Sequence, residues 1–309
     1  MGETISLTIN QQQFKSVFKE VTISKQLSWP TESQLRLFHL NIRGNKIVKA
    51  DLVKFLYINA GNYVLSRAKS QQMTLDGTAS LIGAQGLRML KKSGTDIKGS
   101  GSELGEMLNY AFLEGELGAP KLMSRIEVAT DGSKYSSSCD GIHLLTNGIS
   151  GKPYHQLVFG SSSIVGDPRY AVDAAFEQIA AIDEKEDSEI QMVDSLVFDR
   201  LMNPDEIELV KNILIPQEDI PSYQTSYGVF LGYSLGLDKN KVYPVADYLN
   251  IVEAKMKQDA DVLYPYILNK INSLGLSAHS FYFYLLPLDD AEDDKKEIMN
   301  KVAEGDVEL

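Results

Sequence analysis

The chain reads as a mixed α/β (α+β) protein with one central sheet, helices against it and an N-terminal extension. Three observations predict this. Helical periodicity and strand-like runs alternate along the 309 residues instead of segregating. Gln156 to Phe159 is short and largely apolar, the pattern of a strand buried on both faces. Asp167-Pro168 stands just before Ala171, Ala174, Ala175, Phe176 and Ile179, a capping acid with proline in the first turn of a helix.

The other elements follow in order. Residues up to Pro30 are polar and weakly patterned, and Leu35 to Ile42 alternates as a strand does. Val48 to Lys69 predicts one helix, with Leu52, Leu56, Ala60 and Val64 along a stripe and Gly61 weakening its middle. Leu81 to Lys92 predicts another. Gly99 to Gly101 form a flexible lead-in to a helix over Glu103 to Leu117, with Ser102 as its cap. Leu104, Met107, Leu108, Ala111 and Phe112 share one face of it. Met123 to Ala129 and Ser138 to Leu145 read as strands, with Asp131-Gly132 and Asn147-Gly148 as turns. Beyond an acidic connector come a helix over Asp205 to Ile213, a strand over Tyr227 to Tyr233, a long helix over Val245 to Leu274, a strand over Phe281 to Pro287 and an amphipathic tail.

Composition narrows the function. Hydrophobic content of 43% with 23% charged residues belongs to a soluble globular chain, and no apolar run is long enough for a membrane span. Cys139 is the single cysteine, which excludes an internal disulfide; with no secretory pattern at Met1 to Thr4, a cytoplasmic location is expected. The net charge of −12 suits nucleic acid poorly, because affinity for DNA comes mostly from cations meeting phosphates. If the chain works on DNA, a partner supplies the basic surface. Four scattered histidines lack paired zinc spacing, and Gly99-Ser100-Gly101 fits neither the dinucleotide nor the P-loop pattern, so no small-molecule cofactor is expected. Gly160-Ser161-Ser162-Ser163 lacks the second glycine of a nucleophile elbow.

The candidate chemistry lies between Glu106 and Ser163. A metal-dependent nuclease needs acidic ligands for a divalent ion that generates hydroxide and neutralises phosphate charge. In the PD-(D/E)xK layout these are a helix acid, a strand acid, and an apolar strand ending in Glu-x-Lys, whose two side chains share one face. Glu106 occupies the helix position and Asp140 the strand position, with Ile142 and Leu144 on the same face as Asp140. Ser161 stands at the second acid and Ser163 at the lysine.

These residues sit in a recurring pattern: Gly105-Glu106, Ala119-Pro120-Lys121-Leu122-Met123-Ser124, Cys139-Asp140-Gly141-Ile142-His143-Leu144 and Leu157-Val158-Phe159-Gly160, with the upstream helix Ile58 to Arg67 and the closing Leu286-Pro287. From about Leu35 to the C-terminus the chain resembles the HamA family, the nuclease subunits of the Hachiman antiphage defence system. The resemblance implies a Cap4-like, restriction-endonuclease-type core over 96–309, with 1–95 packed on it as a strand and helix region. It also implies Mg2+ or Mn2+ at Glu106 and Asp140, a HamB-like SF2 helicase as partner, and DNA engaged through the complex. The two serines depart from the family pattern, since a hydroxyl replaces neither a carboxylate's charge nor an ammonium beside the scissile phosphate. Three explanations stand: the pair has migrated, to Asp167, Asp173 or Glu177 and Lys152; the subunit has lost its site and kept a docking or regulatory role; or the residues were substituted deliberately.

Overall fold

The computed structural model describes residues 5–23, 27–93, 102–130, 137–149, 152–193, 204–214, 223–238, 241 and 243–307. Its centre is a seven-stranded mixed sheet in the order β1-β2-β9-β8-β7-β6-β5. The strands are β1 (Lys19–Val21), β2 (Gln34–His39), β5 (Lys121–Ser124), β6 (Gly141–Ile149), β7 (Lys152–Ile164), β8 (Tyr223–Ser234) and β9 (Ser280–Leu288); β3 (Ile42–Arg43) and β4 (Lys46–Ile47) pair separately. β2, β9, β8 and β7 run parallel, and antiparallel strands close both edges. Parallel strands are covered on both faces, and every residue of β9 is buried.

Alternation along the strands divides the core in two. Leu157, Phe159, Tyr227, Val229, Phe281 and Phe283 meet α7 (Pro168–Asp183) and the long helix α10 (Val245–Ser273) on one face. Val158, Phe230 and Tyr284 meet α5 (Ser102–Gly115) on the other, together with α2 (Ala50–Val64) and α11 (Ala291–Glu304). Phe112 is the hub there, its ring centroid 5.0 Å from Phe14 and 5.1 Å from Tyr284. The remaining helices are α1 (Gln11–Val17), α3 (Arg67–Leu75), α4 (Ile82–Ser93), α6 (Arg125–Thr130), α8 (Glu186–Val193) and α9 (Pro204–Leu214).

Several elements differ from the sequence expectation. The weakly patterned N-terminus contains α1, capped by Asn10, whose side chain accepts from the Gln13 amide at 3.0 Å. Only Phe14 and Val17 of its seven residues are buried, too few to show a period. The single helix expected over Val48 to Lys69 is two: Leu65 and Ser66 are extended, and the Ser66 hydroxyl caps α3 by accepting from the Lys69 amide. The strand expected over Met123 to Ala129 stops at Ser124, because Ser124 and Glu127 exchange side-chain-to-amide bonds as a capping box and start α6. The strand that follows is later and longer than expected, so Asn147-Gly148 pairs with Tyr154 and Pro153 instead of turning. Ala174 is exposed and Val172 takes its place in the core. Gly99 to Gly101 and Asp131-Gly132 lie outside the described residues.

Gly61 is a packing residue more than a weak point. A Cβ there would lie 2.8 Å from the Ile82 carbonyl oxygen, and one on Gly86 would lie 2.6 Å from the Gly61 Cα. The two glycines let α2 and α4 touch backbone to backbone. Gly61→Ala gains about 1 kcal/mol of helix propensity but overpacks this contact, which costs about 1–3 kcal/mol. A net loss of up to about 2 kcal/mol is expected, read as a lower urea midpoint; a stabilised variant would show that the helices can move apart freely.

Candidate functional site

Asp140 lies just before β6 and is held by its backbone: its N–H donates to Gly160 O and its carbonyl accepts from Arg125 N, both at 2.9 Å. The regular β6–β7 register runs as far as Ile142 with Phe159; beyond it Asp140 lies beside Gly160, where a Cβ would come within 3.4 Å of the Asp140 Cβ. Off the end of its strand, the Asp140 side chain reaches both layers. Gln178 of α7 donates to Oδ1 at 2.8 Å, and Asn109 of α5 donates to Oδ2 at 3.4 Å. Asn109 Nδ2 also lies 3.2 Å from the carbonyls of Ser161 and Gly228. Gly160 makes this approach possible, because a Cβ there would come within 2.8 Å of that nitrogen.

Glu106 sits one helical turn before Asn109 and is 4% exposed. Tyr63 Oη donates to its Oε2 at 2.8 Å, and the Arg125 guanidinium pairs with Oε1. Burial, and then the charge of Asp140, push the Glu106 carboxyl up to about 8 against the opposing pull of Arg125 and Tyr63. Burial also raises Asp140, while hydrogen bonds from Ser162, Gln178 and Asn109 and the charge of Arg125 hold it down. Of the two carboxyls, Glu106 is the one whose protonated form burial and the neighbouring Asp140 charge favour.

This has a stability consequence of definite sign. An unfolded glutamate ionises near 4.5, so between about 4.5 and 8 the folded chain holds a proton that the unfolded chain has lost. Stability from this group is complete below that window and falls as pH rises through it, by about 1.4 kcal/mol per pH unit at most. His143, buried and lowered to about 4, acts oppositely: its contribution is lost as pH falls from 6.5 toward 4. Glu106→Gln should remove the first dependence alone. Urea midpoints from pH 5 to 8 should fall less steeply for the variant than for its parent; parallel curves would refute the assignment.

The three serines divide between the layers. Ser161 is fully buried on the α7 side, its hydroxyl donating to Ala175 O at 3.1 Å and Gln178 Oε1 at 2.9 Å. Ser163 lies on the same side by alternation and is nearly buried. Ser162 faces α5, where a Cβ on Gly105 would come within 2.7 Å of its hydroxyl, and it is the serine that bonds Asp140 directly. Asp140 and Ser161 are thus joined through Gln178, while Glu106 stands on the opposite layer with Tyr63 and Arg125.

The positions considered for a migrated pair are elsewhere. Asp167 caps α7, accepting from the Arg169 and Tyr170 amides. Asp173 pairs with Lys270 and accepts from Tyr266 Oη at 2.6 Å. Glu177 is exposed, and Lys152 pairs with Ile149 at the far end of the hairpin. As a donor set for magnesium the centre is incomplete. All four carboxylate oxygens already meet a protein donor, and Arg125 supplies a resident cation. Among the described residues no third histidine, cysteine or acid joins these two at metal-ligand spacing.

Sequence reading missed Tyr63, Asn109, Arg125, Ser162 and Gln178. Asn109 follows Glu106 at helical spacing, and Ser124-x-x-Glu127 marks a helix start at Arg125. Nothing local marks Gln178, which reaches Asp140 only because α7 packs on β7.

A mixed sheet flanked by helices, with buried acids at the root of an antiparallel hairpin, is consistent with the α+β architecture of nuclease-like proteins. The HamA family model matches residues 15–302, and the chain belongs to this family, a component of Hachiman antiphage defence. No curated protein matches the chain. No helix among the described residues is long and apolar enough to cross a membrane.

Proposed function

We propose that this chain serves Hachiman defence as a non-cleaving HamA subunit, a nuclease-like scaffold that docks on and regulates an SF2 helicase of the HamB type. The carrying observation is the state of the polar centre. Serines stand where a glutamate and a lysine would complete the site, and both remaining acids are occupied by Arg125, Tyr63, Gln178 and Asn109. In this reading the centre holds no magnesium and generates no hydroxide, since both carboxylates are already engaged by protein donors and by the Arg125 cation. DNA affinity comes from the helicase, in keeping with a net charge of −12.

Supercoiled plasmid incubated with the purified chain and magnesium should stay intact, and the chain should co-purify with the helicase when the two are expressed together. Asp140→Asn, which keeps the side chain's shape, should leave phage protection unchanged. Efficient nicking by the chain alone would overturn the reading. Loss of protection in a stable Asp140→Asn complex would do the same.

A further inference from the structure

A second polar cluster lies on the α7 face, formed by residues far apart in sequence. Asp183 ends α7, Glu186 begins α8, and His279 immediately precedes β9. One ligand atom from each lies within 4.8 Å of the others, and all three side chains are partly open to solvent. Register sets His279 opposite Thr225, four residues back along β8 from Val229, the partner of Ser161. That separates the cluster from Ser161 by roughly 13 Å along the strands.

The imidazole's orientation is informative. Its Nδ1 lies 3.0 Å from Thr225 Oγ1 and 3.3 Å from Thr225 O. A carbonyl oxygen only accepts, so Nδ1 carries the hydrogen and the lone pair of the neutral ring is on Nε2. Nε2 faces Asp183 Oδ1 at 3.9 Å. An imidazole nitrogen turned toward a carboxylate takes either a proton or a metal cation between them. The gap is too long for a direct N–H···O bond but suits two metal bonds of about 2.0–2.2 Å each. The carboxylate is steadied from beneath, where Tyr227 Oη donates to Asp183 Oδ1 at 3.0 Å. A ring N–H anchored on backbone and a carboxylate anchored by a phenol are outer contacts of the kind that orient metal ligands.

We propose that Asp183, Glu186 and His279 bind one divalent transition-metal ion of the manganese or zinc class, independently of the Asp140 centre. One imidazole nitrogen with two carboxylates favours such an ion over magnesium or calcium, which take oxygen ligands. The site draws on three separate elements, so the ion ties the end of α7 and the start of α8 to β9.

The test uses the full chain stripped by chelator. Manganese is titrated while the electron paramagnetic resonance of the free ion is followed, and zinc is then added as competitor. A single bound manganese per chain, displaced by zinc, is expected. Binding should weaken at least about 10-fold in His279→Gln and in Glu186→Gln and remain unchanged in Glu106→Gln and Asp140→Asn. Glu186→Gln lies on a partly exposed first turn and guards against misfolding of the histidine variant. No binding at millimolar manganese, or equal binding by both site variants, would overturn the proposal. Binding lost only in Asp140→Asn would overturn it and also the reading of the Asp140 centre as metal-free, whereas plasmid nicking without such a loss would count against that reading alone.

Discussion

The chain carrying Ser161→Glu together with Ser163→Lys should nick plasmid DNA with magnesium, where the unaltered chain leaves it intact. Gln178 bonds both the Ser161 hydroxyl and the Asp140 carboxylate, so a longer side chain at residue 161 can span that gap to Asp140. A glutamate there adds a second carboxylate beside Asp140 on the α7 side, enough with water and phosphate to hold magnesium. The lysine introduced two residues later shares that face and offsets the added charge. Cleavage at least about 100-fold above background is expected, the order that one charged group contributes at such a centre. Asp140→Asn in the same background should abolish it. Ser161→Glu alone should instead destabilise the chain, because the Ser161 site is fully buried and an added carboxylate without a cation is costly there. A folded double variant that stays inert even with the helicase bound would show that Ser161 and Ser163 do not occupy the catalytic positions.

Lys121→Met should be the most damaging single substitution for stability. Lys121 is 1% exposed, and its ammonium donates to the carbonyls of Asn62, Tyr63 and Leu65 at 2.7, 2.9 and 3.2 Å while pairing with Glu127. One cation thus closes the C-terminus of α2 and neutralises a buried acid. Burial lowers the lysine and raises Glu127, and each partner's charge counters the shift of the other. Removing one member of a buried pair costs about 3–5 kcal/mol, because the other is left charged and dry. The loss should appear as a lower urea midpoint, and Glu127→Gln in the same chain should recover part of it. A loss under about 1 kcal/mol would mean that Glu127 simply takes up a proton and the helix end finds water. The same lysine steadies the backbone of Tyr63, whose phenol bonds Glu106, so damage there should also reach the polar centre.

Much of the fold was legible because burial imposes a period. The stripe Leu52, Leu56, Ala60 and Val64 is buried, as are Leu104, Met107, Leu108, Ala111 and Phe112, and Asp167 caps α7 as its place before proline implies. Elements with few buried residues were not legible. α1 shows two apolar contacts and no repeat, and α6 is set by a two-residue cap that an apolar run conceals. At the candidate site, the two acids and the run of serines could be read directly from residue order, but the layer each serine faces could not. One position of register exchanges the faces of a strand, and only pairing with β6 and packing under α7 put Ser162 rather than Ser161 against Asp140.

The sequence by itself determined the class of fold and the HamA resemblance that the family match bears out, and it singled out Glu106 and Asp140. These are properties of order and period along the chain. Tertiary structure decided what the acids touch. Arg125, Asn109 and Gln178 converge from three helices, and Asp183 meets His279 across 96 positions (279 − 183). A charge's chemistry depends on its burial and on its neighbours within a few ångströms, and those neighbours are chosen by packing between layers.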